Sequence, residues 1–167
     1  MKLKSSIEKT SYFMKIAFTE AIKAKNRDEV PVGSIIVDER NNIIASNGNR
    51  IIELSDPTAH AEILCIREAS KKIQSERLVN CSLFSTLEPC AMCASAISFA
   101  RIKNLYFGAF DPKGGAVENG IKFFNSDTCN HKPDVYGGFS EKKSSDLLKS
   151  YFVLKFKHNR LHFAYYF

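Results

Sequence analysis

The sequence predicts one α/β domain of three layers, with a central mixed β-sheet flanked by helices. Three observations lead to this class. Helix and strand patterns alternate along the chain, 167 residues suit a single domain, and a helix pattern separates two buried strands near the middle. Such a helix could serve as the crossover that parallel strands require. We expect one domain over residues 1–167, with a core at about 10–157 and a C-terminal tail at 158–167 of unassigned role.

The first part of the chain predicts a helix followed by a β-hairpin. Apolar residues recur at helical spacing over residues 10–25, so this segment is expected to pack as an amphipathic helix. Two runs rich in β-branched or apolar residues, at 32–37 and 43–46, flank the turn residues Asn41 and Asn42. Strands on either side of such a turn indicate a hairpin.

The middle of the chain alternates helices with strands. Pro57 and Thr58 are helix-start signals, and we expect the next helix to begin there. Buried strands are predicted at 83–87 and 105–110, and Pro89 opens a helix between them. The order helix, hairpin, helix, strand, helix, strand then places all of the strands in one sheet.

Composition narrows the classes of function. The net charge of +6 favours a polyanionic partner without identifying one. No run of about 18 apolar residues exists to span a bilayer, and residues 1–11 lack the apolar stretch of a signal peptide, so we expect a cytoplasmic protein without membrane contact. Three of the five cysteines, Cys65, Cys81 and Cys129, are interpreted as reduced thiols.

The strongest chemical signal is Cys90 and Cys93, preceded upstream by His60 and Glu62. Cysteines three apart on a first helical turn lie on one face, close enough for one zinc ion to bridge. A lone pair of this kind could also be a redox pair or half of a structural zinc site. His-x-Glu together with Pro-Cys-x-x-Cys, however, is typical of zinc nucleobase deaminases. We therefore predict a catalytic zinc held by His60, Cys90 and Cys93, with Glu62 as proton carrier and one coordination position open.

The position of the metal follows from helix geometry. Residues two apart on a helix point about 200° away from one another, so His60 and Glu62 could not both reach a metal lying beside their helix. We expect the metal beyond the N-terminal end of that helix. There His60 would ligate from the first turn and the longer Glu62 would reach the open position.

Several blocks of the sequence resemble the bacterial tRNA adenosine deaminase family, in that family's order. They are Glu29-Val30-Pro31-Val32-Gly33, Asn49-Arg50, Asp56-Pro57-Thr58-Ala59-His60-Ala61-Glu62, Thr86-Leu87-Glu88-Pro89-Cys90-Ala91-Met92-Cys93 and Phe107-Gly108-Ala109-Phe110-Asp111-Pro112-Lys113. The resemblance implies a cytidine deaminase-like fold, one Zn²⁺ per chain and conversion of the wobble adenosine of a tRNA anticodon to inosine. It also implies a homodimer that binds the tRNA anticodon stem-loop.

The resemblance further implies which residues contact substrate. Asn49 would bind the ribose or base in a pocket lined by Val32 and by the backbone at Ala61 and Pro89. The loop at 111–120 would add Asp111 and Lys113, because loops at strand ends near a metal are substrate-contact candidates. On the last helix pattern, 141–157, Tyr151 and Phe152 match an aromatic pair near the anticodon, although core packing explains them equally well.

Two places depart from the family pattern. Gly115 and Ala116 are followed by Val117-Glu118-Asn119-Gly120 rather than by Gly-Ser, and the tail at 161–167 is aromatic rather than basic and polar.

Two other functions fit part of the pattern. A deaminase of a free base or nucleoside, of the cytosine, cytidine or guanine type, would share the metal signature. The Asp111-Pro112-Lys113 block and the basic charge favour tRNA instead. A non-catalytic RNA-binding module with a structural zinc is the other alternative, and Glu62 argues against it because a structural site has no use for that residue.

Overall fold

The computed structural model describes residues 6–158, with side chains described for residues 6–155. The tail lies outside the described residues from position 159 onward. The helices are α1 (Ser6–Asn26), α2 (Ile51–Leu54), α3 (Ala61–Ile73), α4 (Ala91–Phe99) and α5 (Glu141–His158). The strands are β1 (Gly33–Val37), β2 (Ile43–Gly48), β3 (Ser82–Leu87), β4 (Asn104–Ala109) and β5 (Asp134–Tyr136).

The strands form one mixed sheet in the order β2-β1-β3-β4-β5. Strands β1 and β2 are the predicted antiparallel hairpin, and β1 also pairs antiparallel with β3. Strands β3 and β4 are parallel, with α4 as the crossover that the sequence predicts, and β5 continues the parallel half. The prediction of a mixed sheet between helices is confirmed.

Alternation along the strands divides the core into two layers. Ile35 and Val37 pack with Phe84 and α1 on one face of the sheet, whereas Ile36 and Leu83 pack on the other face with α3 and α4. Helix α5 joins α1 on the first face, where the ammonium of Lys25 donates a hydrogen bond of 3.0 Å to the hydroxyl of Ser150. The metal signature therefore belongs to the opposite face, with α3 and α4.

The start of α3 corrects one prediction. Residues 57–58 are not helical, and α3 begins at Ala61. The carboxylate of Asp56 accepts hydrogen bonds from both the backbone N–H and the hydroxyl of Thr58, at 2.8 and 2.7 Å. Such side-chain bonds stabilise a turn in competition with a helix. His60 is therefore the extended residue before the helix rather than a member of its first turn.

Two other elements are missing from the sequence prediction. Helix α2 is a single turn, and β5 has three residues, so neither is long enough to give a periodic signal. A short 3-10 turn at Phe123–Asn125 follows the glycine-containing loop. Among the described residues, no helix is long and apolar enough to cross a membrane.

Candidate active site

His60, Cys90 and Cys93 converge as the sequence predicts. His60 Nδ1 lies 3.7 Å from Cys90 Sγ and 3.6 Å from Cys93 Sγ. A tetrahedral zinc ion with its usual bond lengths would separate a histidine nitrogen from a cysteine sulfur by about 3.6 Å. One imidazole and two soft sulfur ligands are also the donor set that zinc prefers. The three residues therefore fit one zinc ion and leave a fourth coordination position for water or substrate.

Helix N-termini position two of these ligands. His60 is the N-cap of α3 and Cys90 is the N-cap of α4, and both have extended backbone conformations. The positive partial charge at the start of a helix favours a thiolate. Strand β3 ends two residues before Pro89, so it carries Cys90 to the same place as the start of α3. The ligands thus sit on rigid elements rather than on a mobile loop.

The contacts among these groups shift their pKa values. The contact with Cys93 lowers the pKa of the Cys90 thiol to about 4, which favours the thiolate form that zinc requires. The same contact, together with burial, raises the pKa of Cys93. The contact with Cys90 raises the pKa of His60, and the carboxylate of Glu62 adds to this effect. Zinc and protons therefore compete for the same lone pairs.

Glu62 lies beside the cluster and is only 3% exposed. Its Oε1 accepts a hydrogen bond of 3.1 Å from the Ser85 hydroxyl on β3, and Cys93 Sγ lies 3.6 Å from its Oε2. Burial raises the pKa of Glu62, and its contacts with Ser85 and His60 oppose that rise only in part. A carboxyl group that holds its proton more tightly is suited to passing protons near neutral pH.

Asn49 connects the hairpin to the start of α3. It is 4% exposed, and its Oδ1 accepts a hydrogen bond of 2.9 Å from the backbone N–H of Ala61. Since His60 provides no side-chain cap, Asn49 satisfies one of the free N–H groups of this helix from a distant loop. Its Nδ2 makes no hydrogen bond to any described residue and can donate to a ligand in the cleft that Asn49 lines.

A cleft of about 590 Å³ opens over these groups. This volume lies within the range of about 300–1,000 Å³ that is usual for small-molecule sites. Apolar side chains form much of its wall, and residues of the candidate metal site and of the loop after β4 also line it. The lining residues are Val30, Val32, Asn49, Ile51, His60, Glu62, Leu87, Glu88, Cys90, Phe110, Asp111, Lys113, Gly114, Leu148 and Phe152.

Apart from Tyr151, the predicted substrate residues fall into two groups. Val32, Asn49, Asp111, Lys113 and Phe152 line the cleft. The backbone groups at the other predicted positions are bonded within the protein: the Ala61 N–H donates to Asn49, and the Pro89 carbonyl accepts from Ala116 at 2.9 Å.

Tyr151 belongs to the packing of α5 rather than to the cleft wall. Its side chain is 7% exposed, and its hydroxyl donates a hydrogen bond of 2.8 Å to the carbonyl of Asp28. The neighbouring Lys155 forms an ion pair with the Asp28 carboxylate. The two members of the aromatic pair therefore have different surroundings, and Phe152 is the one that faces the cleft.

Two polar residues of the site were not predicted. Ser85 holds Glu62, and the buried Glu88 binds the loop after β4. The sequence does not indicate a role for Ser85, because a single serine is an ordinary residue of a buried strand. Glu88 does carry a sequence signal. A carboxylate directly after a buried strand and shortly before a metal ligand is expected to be buried, and it then requires a hydrogen-bond or charged partner.

Comparison with known proteins agrees with this site. Residues 7–109 match the family model of the cytidine and deoxycytidylate deaminase zinc-binding region. A tRNA-specific adenosine deaminase of Agrobacterium fabrum is 54% identical over 143 residues, which are 85% of this chain and 93% of the relative. A tRNA-specific adenosine deaminase of Haemophilus influenzae is 45% identical over 139 residues, 83% of this chain and 80% of the relative.

Solved structures of deaminases also match this chain. A structure from a study of A-to-I editing by tRNA:A34 deaminases at the wobble position matches with a TM-score of 0.81 and 54% identity, over 83% of this chain and 99% of that one. A guanine deaminase of Bacillus subtilis matches with a TM-score of 0.57 and 32% identity, over 69% of this chain and 83% of that one. The chain therefore belongs to the tRNA-specific adenosine deaminases within the cytidine and deoxycytidylate deaminase family of zinc proteins.

Proposed function

We infer that this chain is a zinc-dependent hydrolase that converts adenosine to inosine at the wobble position of a tRNA anticodon. One observation carries the chemistry: His60, Cys90 and Cys93, which could hold one metal ion, lie beside the buried carboxyl group of Glu62, and a cleft opens onto this group. The relatives supply the substrate class, because those at 54% and 45% identity are tRNA-specific adenosine deaminases. The net charge of +6 suits a polyanionic substrate.

Glu62 performs the proton transfers of this reaction. When bound, zinc lowers the pKa of a water molecule and so supplies the nucleophile near neutral pH. Glu62 takes a proton from the attacking water and delivers it to ring N1 of adenine. It then takes the second proton from the hydroxyl group now on C6 and delivers it to the amino group, which leaves as ammonia as the C6 carbonyl forms. Water and adenosine thus become inosine and ammonia. Ser85 holds the carboxyl group in place through these steps.

We propose that residues of the cleft wall hold the target nucleotide. Asn49 Nδ2 would donate to the base or ribose, and Val32 would pack against the ring of the base. Asp111 and Lys113 would contact the sugar-phosphate backbone from the loop after β4, while Phe152 would stack on a neighbouring anticodon base. This enclosure suits an unpaired base of an anticodon loop, since a base within a duplex could not enter.

We also propose a homodimer. Large apolar side chains are exposed on two short elements: Ile52 and Leu54 of α2 are 63% and 46% exposed, and Phe99 at the end of α4 is 71% exposed. A second subunit would cover such groups. A cytoplasmic location is the further expectation, and the five unpaired cysteines suit a reducing compartment.

The function is tested by offering purified protein four substrates: a tRNA with adenosine at the wobble position, free adenosine, cytidine and guanine. Release of ammonia and formation of inosine in the tRNA alone would support the proposal. Preferential release from guanine would instead make the chain a free-base deaminase, as its likeness to the Bacillus subtilis enzyme allows.

A further inference from the structure

The carboxylate of Glu88 collects five hydrogen bonds from one loop. Its Oε1 accepts from the backbone N–H groups of Val117, Glu118 and Asn119 at 3.1, 2.8 and 2.9 Å. Its Oε2 accepts from the backbone N–H of Asp111 at 2.9 Å and from Asn119 Nδ2 at 2.6 Å. Glu88 is 2% exposed, and the zinc chemistry described above gives it no task.

We propose that Glu88 is a positioning residue that fixes the substrate-contacting loop, residues 111–119, to the zinc site. The N–H groups that donate to Glu88 come from both ends of this loop, so one carboxylate holds the two ends together. Asp111 and Lys113 project into the cleft from the closed segment. Glu88 also lines the cleft but is almost fully buried, and its effect on the substrate passes through these two residues.

The loop is also attached to the metal ligand itself. Cys90 forms an isolated antiparallel bridge with Gly115, and the backbone N–H of Ala116 donates to the Pro89 carbonyl at 2.9 Å. A Cβ atom on Gly115 would lie 2.5 Å from the Glu88 carboxyl carbon and 2.5 Å from the Asp111 carbonyl oxygen. Only glycine allows this approach. The loop and the start of α4 therefore form a single unit, which sets the distance between the open zinc position and the cleft wall.

Asn119 explains how the departure from the family pattern is accommodated. The side chain of this residue donates the shortest of the five hydrogen bonds, and three successive backbone N–H groups at 117–119 turn toward the same carboxylate. The segment Val117-Glu118-Asn119 thus serves to bind Glu88. Through this contact the segment supports the position of Asp111 and Lys113.

Glu88→Gln is the sharpest test, because it preserves size while replacing one acceptor oxygen with an NH₂ group. Either orientation of the amide turns donors toward donors, which disrupts at least two of the five bonds. This inference rests on the proposed tRNA activity. We expect Glu88→Gln to keep one zinc per chain and to lower kcat/KM for tRNA by about 10- to 100-fold, mainly through KM, as a displaced binding group does.

Glu118→Gln is the matched control. It removes the same charge from the same loop, but the Glu118 side chain is exposed and only its backbone N–H meets Glu88. We expect its KM for tRNA to stay within about twofold of the wild-type value. Asn119→Ala removes one donor and leaves four, so it should give an intermediate rise in KM and decides the question if Glu88→Gln does not fold.

A double-mutant cycle with Lys113→Ala separates positioning from a general loss of stability. If Glu88 acts through the loop, Glu88→Gln should raise KM by a clearly smaller factor in the Lys113→Ala background than in the wild type, because the contact is already lost. Fully multiplicative effects would overturn the inference, as would equal KM values for Glu88→Gln and Glu118→Gln. If the wild-type protein does not deaminate tRNA at all, the proposed function fails instead.

Discussion

The hydroxyl of Ser85 on β3 donates a hydrogen bond of 3.1 Å to Oε1 of Glu62 on α3, and both side chains are buried. The central sheet thereby fixes the orientation of the proposed proton carrier. The bond joins residues 23 positions apart, so it exists only in the folded chain. It also satisfies Oε1 of this buried carboxyl group, whose Oε2 is approached by Cys93 Sγ at 3.6 Å.

Ser85→Ala should therefore reduce catalysis as well as stability. We expect the free energy of unfolding to fall by about 1–3 kcal/mol and kcat to fall by about tenfold, with zinc retained. Ser34→Ala is the control: Ser34 faces Ser85 on β1, is equally buried, and its hydroxyl donates to the Phe84 carbonyl at 2.9 Å. Denaturant unfolding and steady-state kinetics check both variants. Equal kcat losses in the two would contradict the role assigned to Ser85.

Cys90→Ser should lose zinc, because a hydroxyl is a poor ligand for this metal. Cys129→Ser makes the same chemical change at another half-buried thiol that lies outside the ligand cluster, and it should keep one zinc per chain. Metal content after dialysis measures both. Full zinc occupancy in Cys90→Ser would remove that residue from the ligand set.

The aromatic pair of α5 should separate into a stabilising and a binding residue. Tyr151→Phe removes the hydrogen bond to the Asp28 carbonyl, so it should cost about 0.5–1.5 kcal/mol of unfolding free energy at unchanged tRNA affinity. Phe152→Ala should weaken tRNA binding by about 1–3 kcal/mol, the usual value of base stacking. Thermal unfolding and tRNA titration distinguish the two. Unchanged affinity in Phe152→Ala would exclude stacking on that ring.

The hairpin turn should show an acid-dependent stability that leaves the active site untouched. Burial acts to raise the pKa of Asp38, but hydrogen bonds from Asn42 and Arg40 outweigh it, so the folded-state pKa lies below 3.8. A lowered pKa stabilises the fold above the unfolded-state pKa, and this stabilisation is lost as the pH falls through the folded value.

Asp38→Asn mimics the protonated form of this residue. It should destabilise the fold by about 0.5–1 kcal/mol at pH 7, a small effect because the group is partly solvated. The difference from wild type should shrink toward zero as the pH falls through the folded-state pKa of Asp38. Urea unfolding at several pH values checks this, and a difference that stays constant with pH would rule out the explanation.

Much of the site could be predicted because its chemistry is local in sequence. His60 with Glu62, and Cys90 with Cys93, lie two or three residues apart, and strong periodic patterns place both pairs at helix starts. The predicted start of α3 was wrong because hydrogen bonds from Thr58 to the Asp56 carboxylate stabilise a turn. This turn outweighs the helix-start signal of Pro57.

The unpredicted contacts all join distant parts of the chain. Asn49 caps α3 from the end of the hairpin, and Glu88 binds a loop more than twenty residues away. No local pattern specifies which N–H groups such a side chain will meet, because the partners come together only when the sheet forms. The burial of Tyr151 has the same origin, since its hydrogen-bond partner Asp28 lies 123 residues away.

In the function inferred for this chain, the zinc site deaminates the wobble adenosine of tRNA and Glu62 moves the protons. The most direct test of this function maps inosine by sequencing a tRNA with adenosine at the wobble position, after incubation with the zinc-loaded wild-type protein and with zinc-loaded Glu62→Gln. We expect inosine at the wobble position with the wild-type protein. With Glu62→Gln we expect a rate at least about 10²- to 10⁴-fold lower, at unchanged zinc content and tRNA affinity. Absence of inosine with the wild-type protein would exclude the tRNA activity, and a Glu62→Gln rate within about tenfold of the wild-type rate would exclude Glu62 as the proton carrier.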